Sequence, residues 1–368
     1  MGKHALLSAS ASHRWLNCPP SVRLSEGIPD KGSEYAQEGT DAHSLCEYRL
    51  KKLLGMEAVD PTEHLDWYNG EMEECAENYA SYVLELLEKA KETCADPVVL
   101  VEQRVDFSRF VENGFGTADC IIISDGAMNI VDYKHGKGVE VSAEGNPQMM
   151  LYALGALEIF DGIYDIDEVQ MTIFQPRLGN VSVGEMTKAA LIEWADGELS
   201  EKARLAYDGG GEYSCGEWCR FCKAKAVCRK RAEENLRMAR YDFAPADTLD
   251  ETEIAAVLVS WVTDVKEYAL SQALQGVIYP GYKVVEGRSA RKYSNEELVA
   301  RVVSEAGYDP YAHKVLGLTE MQKLLGRQKF NELLSAYVVK PQGKPVLVPD
   351  NDKRPNMNTA QNDFKEEN

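Results

Sequence analysis

The spacing of apolar and polar positions divides the chain into helical and extended stretches. Residues 71–93, EMEECAENYASYVLELLEKAKET, repeat apolar side chains at helical intervals and predict a long amphipathic helix packed on a sheet. The stretch EYAQEGTDAHSLCEYRLKKLLG predicts another, capped by Thr40 or Asp41, with Ala42, Leu45, Cys46, Leu50 and Leu53 facing inward. His43 and Glu47 then lie one turn apart on a single face. Before it, SASASHRWLNCPPSVRLSEG reads as a short capped helix broken at Pro19-Pro20. Apolar runs at 98–107, 117–124 and 128–134, separated by glycine-containing turns, predict an antiparallel meander. A helix from Pro147 to about Phe160, strands at 168–176 and 180–186, and a helix over roughly 187–206 complete this part. The order predicts an α/β fold of the mixed α+β kind, a central mixed β-sheet flanked by helices.

After the glycine-rich DGGGEY, FAPADTLDETEIAAVL starts a new unit with a helix to about 276, a hairpin, and helices near 295–306 and 319–337. The end is rich in proline, asparagine and charge. The expected organisation is a main domain over 1–240, a smaller helix-rich accessory region over 241–345, and a disordered tail over 346–368.

Composition narrows the function classes. With 44% hydrophobic and 27% charged residues among 368, the chain is globular and long enough for a sizeable core. No apolar run is long enough to span a bilayer, and the N-terminus lacks the apolar core of a secretory signal, so a cytoplasmic protein without a membrane partner is expected. A net charge of −20 excludes a broad basic surface for coating duplex nucleic acid, though not a local basic groove. The nine cysteines are unevenly spaced, unlike a disulfide framework, and four fall between 215 and 228, which points to a metal.

The candidate chemistry centres on residues 116–152. Asp119 is followed, after an apolar strand and a turn, by Asp132-Tyr133-Lys134 at the end of a second strand. Alternation puts Asp132 and Lys134 on one side of that strand and Tyr133 on the other. Two carboxylates and a lysine on one sheet edge are what hydrolysis with Mg²⁺ or Mn²⁺ needs: oxygen ligands hold the hard cation, and an ammonium steadies developing charge. Gln148 and Tyr152 lie four residues apart on the helix that follows. Taken singly these are common features, as is a surface or core histidine at His43; their order along one chain is what makes them specific. Glu102, on the first strand, reads as a solvated strand residue, with an additional site carboxylate as the alternative.

Cys219-x-x-Cys222, five residues and then Cys228 supply three thiolates within one tight segment. The fourth ligand could be Cys215 locally or Cys18 from the chain's start. Zinc fits Cys215, Cys219, Cys222 and Cys228; a 4Fe–4S cluster fits Cys18 with the last three. Lys223, Lys225, Arg229, Lys230 and Arg231 interleave this segment as candidate phosphate-backbone contacts.

The stretches EGTDAH, GTAD, VDYKHG and QMMLY, together with the cysteine set, resemble a RecB-like nuclease of the PD-(D/E)XK superfamily. The branch in question includes the AddB nuclease domain and the CRISPR-associated adaptation exonucleases. SASASHRWLNCPPS is similar to that branch's entry motif, in which a cysteine before proline is the first cluster ligand, and this favours Cys18 over Cys215. The resemblance covers roughly residues 5–235. It implies a restriction-endonuclease-like core with an iron–sulfur clasp, in which His43, Asp119 and Asp132 hold the metal and Lys134 is the catalytic lysine. Gln148 and Tyr152 would then support the site and the DNA. Asp132 stands where glutamate is common in the superfamily; both are allowed.

Residues after 240, including GYKVVEGRSARKYS, resemble a subgroup from phages and prophages. The implied activity is an exonuclease acting on DNA ends or single strands, with phage replication or recombination proteins as partners. Two other classes compete with this one. A catalytically silent nucleic-acid-binding or replication scaffold draws on Lys283, Arg288, Arg291 and Lys292, against the intact Asp119, Asp132 and Lys134. A zinc-binding regulatory protein requires the Asp-x-Lys stretch to be coincidental.

Overall fold

The computed structural model of the protein describes residues 5–29, 32–241 and 250–280, with 282 and 329. The chain divides into two compact units, Met1–Val284 and Val285–Asn368, and the described elements belong to the first. The expected helices near 295–306 and 319–337, the tail, and Lys283, Arg288, Arg291 and Lys292 lie outside the described residues.

A 3-10 turn at Ala9–Ala11 leads into α1 (Ser12–Asn17), and the chain restarts after Pro19-Pro20 as α2 (Ser21–Leu24). Helix α3 (Glu34–Leu53) begins earlier than expected. Its cap is Ser33, whose Oγ accepts from the Ala36 N–H at 3.0 Å, not Thr40 or Asp41. Asp41 is instead buried inside the helix, accepting from Gln37 Nε2 and from the Trp67 N–H that anchors the following loop. Ala42, Leu45, Cys46 and Leu50 face inward as expected, whereas Leu53, in the last turn, is exposed. Helix α4 (Gly70–Thr93) is capped by Asn69 and lies beside α3 on the sheet.

Strands β1 (Val98–Asp106), β2 (Phe115–Ser124) and β3 (Gly126–Tyr133) form the antiparallel meander. Helix α5 (Pro147–Phe160) then crosses to β4 (Ile166–Gln175), which pairs parallel with β3, and β5 (Asn180–Thr187) closes the edge antiparallel to β4. The sheet is therefore mixed, in the order β1-β2-β3-β4-β5. The helix expected over 187–206 is interrupted: α6 (Lys188–Trp194) passes through a π-turn at Ala195–Leu199 into α7 (Ser200–Asp208). Helices α8 (Arg229–Tyr241) and α9 (Asp250–Leu274) follow, so α9, beyond the expected boundary at 240, lies within the first unit.

Both faces of the sheet are covered, which explains the unbroken apolar run at 120–123. Cys120 and Ile122 pack with α3 and α4; Ile121 and Ile123 pack with α5, α6, α7 and the N-terminal segment. Gly155 lets α5 approach β1, because a Cβ there would stand 2.8 Å from Val105 Cβ and 3.1 Å from the Asp106 nitrogen. Helix propensity favours alanine by about 1 kcal/mol, but crowding of backbone decides the sign. Gly155→Ala is expected to lower stability by about 1–3 kcal/mol, read as a lower urea midpoint; a raised midpoint would show that the contact relaxes freely.

Candidate metal centre and cysteine cavity

The site forms where neighbouring strands separate. The β2–β3 ladder runs from Ser124↔Ala127 to Cys120↔Val131 and stops short of Asp119 and Asp132. Beyond that point β2 continues only with β1, and β3 only with β4. The Tyr133 N–H, which the ladder no longer uses, donates to Asp119 Oδ2 at 2.7 Å. On the other side, β1 and β2 pair at Val101↔Cys120 and Gln103↔Ala118 but not at Glu102 and Asp119. Glu102 has φ 52, a left-handed backbone unusual for a non-glycine residue in a strand. Both strands change face there: Val99, Val101 and Cys120 pack towards α3 and α4, Val105 and Ala118 towards α5. Such local irregularity beside a cluster of carboxylates re-aims side chains that a regular ladder would hold apart.

One ligand atom each from His43, Glu102 and Asp119 lie within 4.8 Å of one another. His43 reaches in from α3, with Nδ1 3.3 Å from Asp119 Oδ1 and its ring edge-on to Tyr133. Of the two readings of Glu102, the structure favours the site carboxylate over the solvated strand residue. Glu102 is half-buried and turned towards Asp119, and burial first, then the Asp119 charge, pushes its carboxyl up to about 7. Burial alone would lower His43, yet the Asp119 charge and hydrogen bond outweigh it and push the imidazole up to about 9. Burial would raise the partly buried Asp119, but His43, Lys134 and the Tyr133 N–H hold its carboxyl below the ordinary value. Were a dication to bind here, His43 and Glu102 would hold it in their deprotonated forms.

Asp132 and Lys134 emerge on the α5 side of β3 and Tyr133 on the other, as alternation requires. Helix α5 starts at Asn146, whose Oδ1 accepts from the Gln148 and Met149 N–H groups, with Pro147 in the first turn. That start aims Gln148 at the strand end. Its Nε2 donates to Asp132 Oδ1 at 3.0 Å and to Tyr152 Oη at 3.2 Å, while Oε1 accepts from Lys134 Nζ at 3.2 Å. The Lys134 ammonium also stands 2.8 Å from Asp132 Oδ2, an ion pair in which the buried oxygen has no other partner among the described residues. Burial lowers the Lys134 pKa, but Asp132 and Asp119 outweigh it, so the group stays an ammonium. Gly116 is required by Tyr152: a Cβ there would lie 2.7 Å from the tyrosine Cε1.

A second network backs the site and escaped the sequence reading. Tyr133 Oη lies 2.7 Å from Nδ1 of the buried His135, and His135 Nε2 lies 3.5 Å from Glu38 Oε1. Arg177, in the turn between β4 and β5, donates to Glu38 at 2.8 Å and to Glu71 on α4 at 3.2 Å. Tyr133 therefore touches Asp119, His43 and His135 at once. Glu38 carried a faint signal, sitting in the same EGTDAH stretch as His43; Arg177, 139 residues away in a turn, carried none. Glu47, expected on the His43 face, pairs with Lys51.

The cysteines form a separate feature. Cys18, Cys219, Cys222 and Cys228 line one cavity, whose walls do not include Cys215. All nine cysteines are free thiols. Burial raises the Cys18 thiol, against hydrogen bonds from the Ser214 and Ser21 backbone, and Cys219 and Cys222 are close enough to raise it further. Cys215 is pushed up to about 12 by burial and then by Cys219 and Cys228. Among the described residues no three cysteine sulfurs lie within 4.8 Å of one another. Zn–S bonds of about 2.3 Å place tetrahedral sulfurs about 3.8 Å apart, so the thiols are not gathered as a zinc quartet. Of the interleaved basic residues, Lys225 and Arg231 pair with Asp264, while Arg229 is exposed beside Glu233 on the surface of α8.

No helix among the described residues is long and apolar enough to cross a membrane. A family model described as "Protein of unknown function (DUF2800)" matches residues 4–355. Among solved structures, the crystal structure of SSO0001 aligns with 14% identity over 50% of this chain and 94% of that one, at a TM-score of 0.21. A likeness at that score carries no argument.

Proposed function

We propose that this chain, which belongs to the DUF2800 family of proteins of unknown function, is a metal-dependent deoxyribonuclease of the RecB-like PD-(D/E)XK kind. The observation that carries the reading is the meeting of His43, Glu102 and Asp119 beside Asp132, Lys134, Gln148 and Tyr152 where β2 and β3 part. On this reading the mixed sheet and its flanking helices are a restriction-endonuclease-like core, and the protein works in the cytoplasm on DNA ends or single strands. Phage-type replication or recombination proteins are the partners in view.

The donor set fits a divalent cation. His43, Glu102 and Asp119 supply one nitrogen and two carboxylates, and Asp132 Oδ2, paired with the Lys134 ammonium, is a further buried oxygen beside them. Mg²⁺ suits the carboxylates, and the imidazole makes Mn²⁺ at least as suitable. Such an ion, when bound, activates water and offsets charge on the scissile phosphate. The chain's own residues do the rest. Lys134, fixed as an ammonium by Asp132 and Gln148, faces the charge that develops on phosphate in the transition state. Gln148 holds Asp132 and Lys134 in register, and Tyr152 holds Gln148.

The cysteine cavity fits a 4Fe–4S cluster held by Cys18, Cys219, Cys222 and Cys228, since a polynuclear group spreads its ligands wider than one ion does. Its role is structural, because hydrolysis transfers no electrons. Zinc on Cys215, Cys219, Cys222 and Cys228 is the alternative: Cys215 is within reach of Cys219 and Cys228 but does not line the cavity that holds Cys18.

The test is anaerobically purified protein incubated with linear and circular, single- and double-stranded DNA in Mn²⁺ or Mg²⁺. The expected result is metal-dependent degradation of linear DNA; binding without cleavage of any form would favour the scaffold reading instead. Glu102→Gln is expected to weaken Mn²⁺ binding roughly ten-fold or more, measured by calorimetry. Unchanged affinity would remove Glu102 from the ligand set.

A further inference from the structure

We propose that Asp264 on α9 is a positioning residue for the cysteine cavity, so that α9 completes the site that Cys18, Cys219, Cys222 and Cys228 line. Asp264 is 9% exposed and uses both carboxylate oxygens. Oδ2 accepts from Arg231 Nη1 at 2.6 Å, and Oδ1 lies 2.8 Å from Lys225 Nζ. Both cations line the cavity together with the four thiols. Lys225 sits between Cys222 and Cys228, with its N–H donating to the Cys222 carbonyl at 3.1 Å. Arg231 opens α8 just after Cys228, and its Nη1 also donates to the Lys225 carbonyl at 3.0 Å. One carboxylate therefore fastens the turn on both sides of Cys228.

Charge gives the arrangement its sense. As ligands to a cluster the four cysteines would be thiolates and gather negative charge, and Arg14, Lys225 and Arg231 on the cavity walls would counter it. Two of those three cations are held in place by Asp264 alone among the acidic partners described for them. Arg231 is itself buried, so losing its carboxylate leaves a buried cation that must find water, and the turn must open to admit it. The residues outside the main domain expected from the sequence are thereby part of the cofactor site. The cofactor side of this inference rests on the iron–sulfur reading above; the positioning of the thiols does not.

The experiment compares full-length wild type with Asp264→Asn and Asp264→Glu, all purified anaerobically. Iron and acid-labile sulfide per chain and the rate of bleaching in air report the cofactor. Alkylation of Cys222 and Cys228 by iodoacetamide after chelator treatment, followed by mass spectrometry, reports the turn, with the core thiols Cys46 and Cys120 as internal controls. Asp264→Asn is expected to bleach several-fold faster and to alkylate Cys222 and Cys228 several-fold faster, with Cys46 and Cys120 unchanged and Asp264→Glu near wild type. Equal alkylation in wild type and Asp264→Asn would overturn the proposal, as would equal acceleration at Cys46, which marks general loosening. If the wild type holds no iron, the iron–sulfur reading falls and the alkylation pattern alone decides the role of Asp264.

Discussion

Lys134→Ala is expected to lower DNA cleavage by about a thousand-fold or more while Mn²⁺ binding persists. An ammonium has no lone pair to offer a metal, and that of Lys134 lies beside Asp132 and is held by Gln148. Removing it takes away the cation aimed at the developing charge and frees Asp132 Oδ2, while Oδ1 still accepts from Gln148. The loss should therefore fall on turnover rather than on metal affinity. Asp132→Asn is expected to be as inactive, while keeping an oxygen for Gln148. Asp132→Ala is the less informative variant, because breaking a buried ion pair costs about 3–5 kcal/mol and confounds folding with catalysis. Cleavage rates measured beside Mn²⁺ calorimetry and circular dichroism check this. Wild-type rates in Lys134→Ala would remove the residue from the mechanism.

The second large effect is expected at Cys18. Cys18→Ser should lose bound iron and colour and should melt lower, whereas Cys215→Ser should keep both. Cys18 precedes Pro19 at the chain's start and lines the same cavity as Cys219, Cys222 and Cys228, about 200 residues later. Closing a loop of that size is worth up to about 5 kcal/mol by the chain-entropy arithmetic used for disulfides. Metal analysis and thermal melts of the two variants check this. The reverse pattern, one zinc retained in Cys18→Ser and lost in Cys215→Ser, would move the fourth ligand to Cys215.

The sheet and its helices were legible because both periodicities are strong. The 3.6-residue stripe of α4 and the alternation that separates Asp132 and Lys134 from Tyr133 both appear in the structure. The start of α3 was misread because Thr40 and Asp41 are good capping types, and Ser33 lies a full two turns upstream. Glu102 was misread for a deeper reason. Its part in the site comes from a left-handed backbone and from where β2 leaves β3, and neither leaves a mark on residue type. Arg177 and Asp264 were invisible because each acts through partners far along the chain, Glu38 and Arg231, and charged residues in turns and late helices usually face water.

The most direct measurement is the fate of end-labelled linear single-stranded DNA with anaerobically purified wild-type protein, in Mn²⁺ and in excess chelator, beside Lys134→Ala. The account predicts digestion in Mn²⁺ by the wild type and intact DNA in the other lanes. Intact DNA in all lanes, or digestion by Lys134→Ala at the wild-type rate, would contradict it.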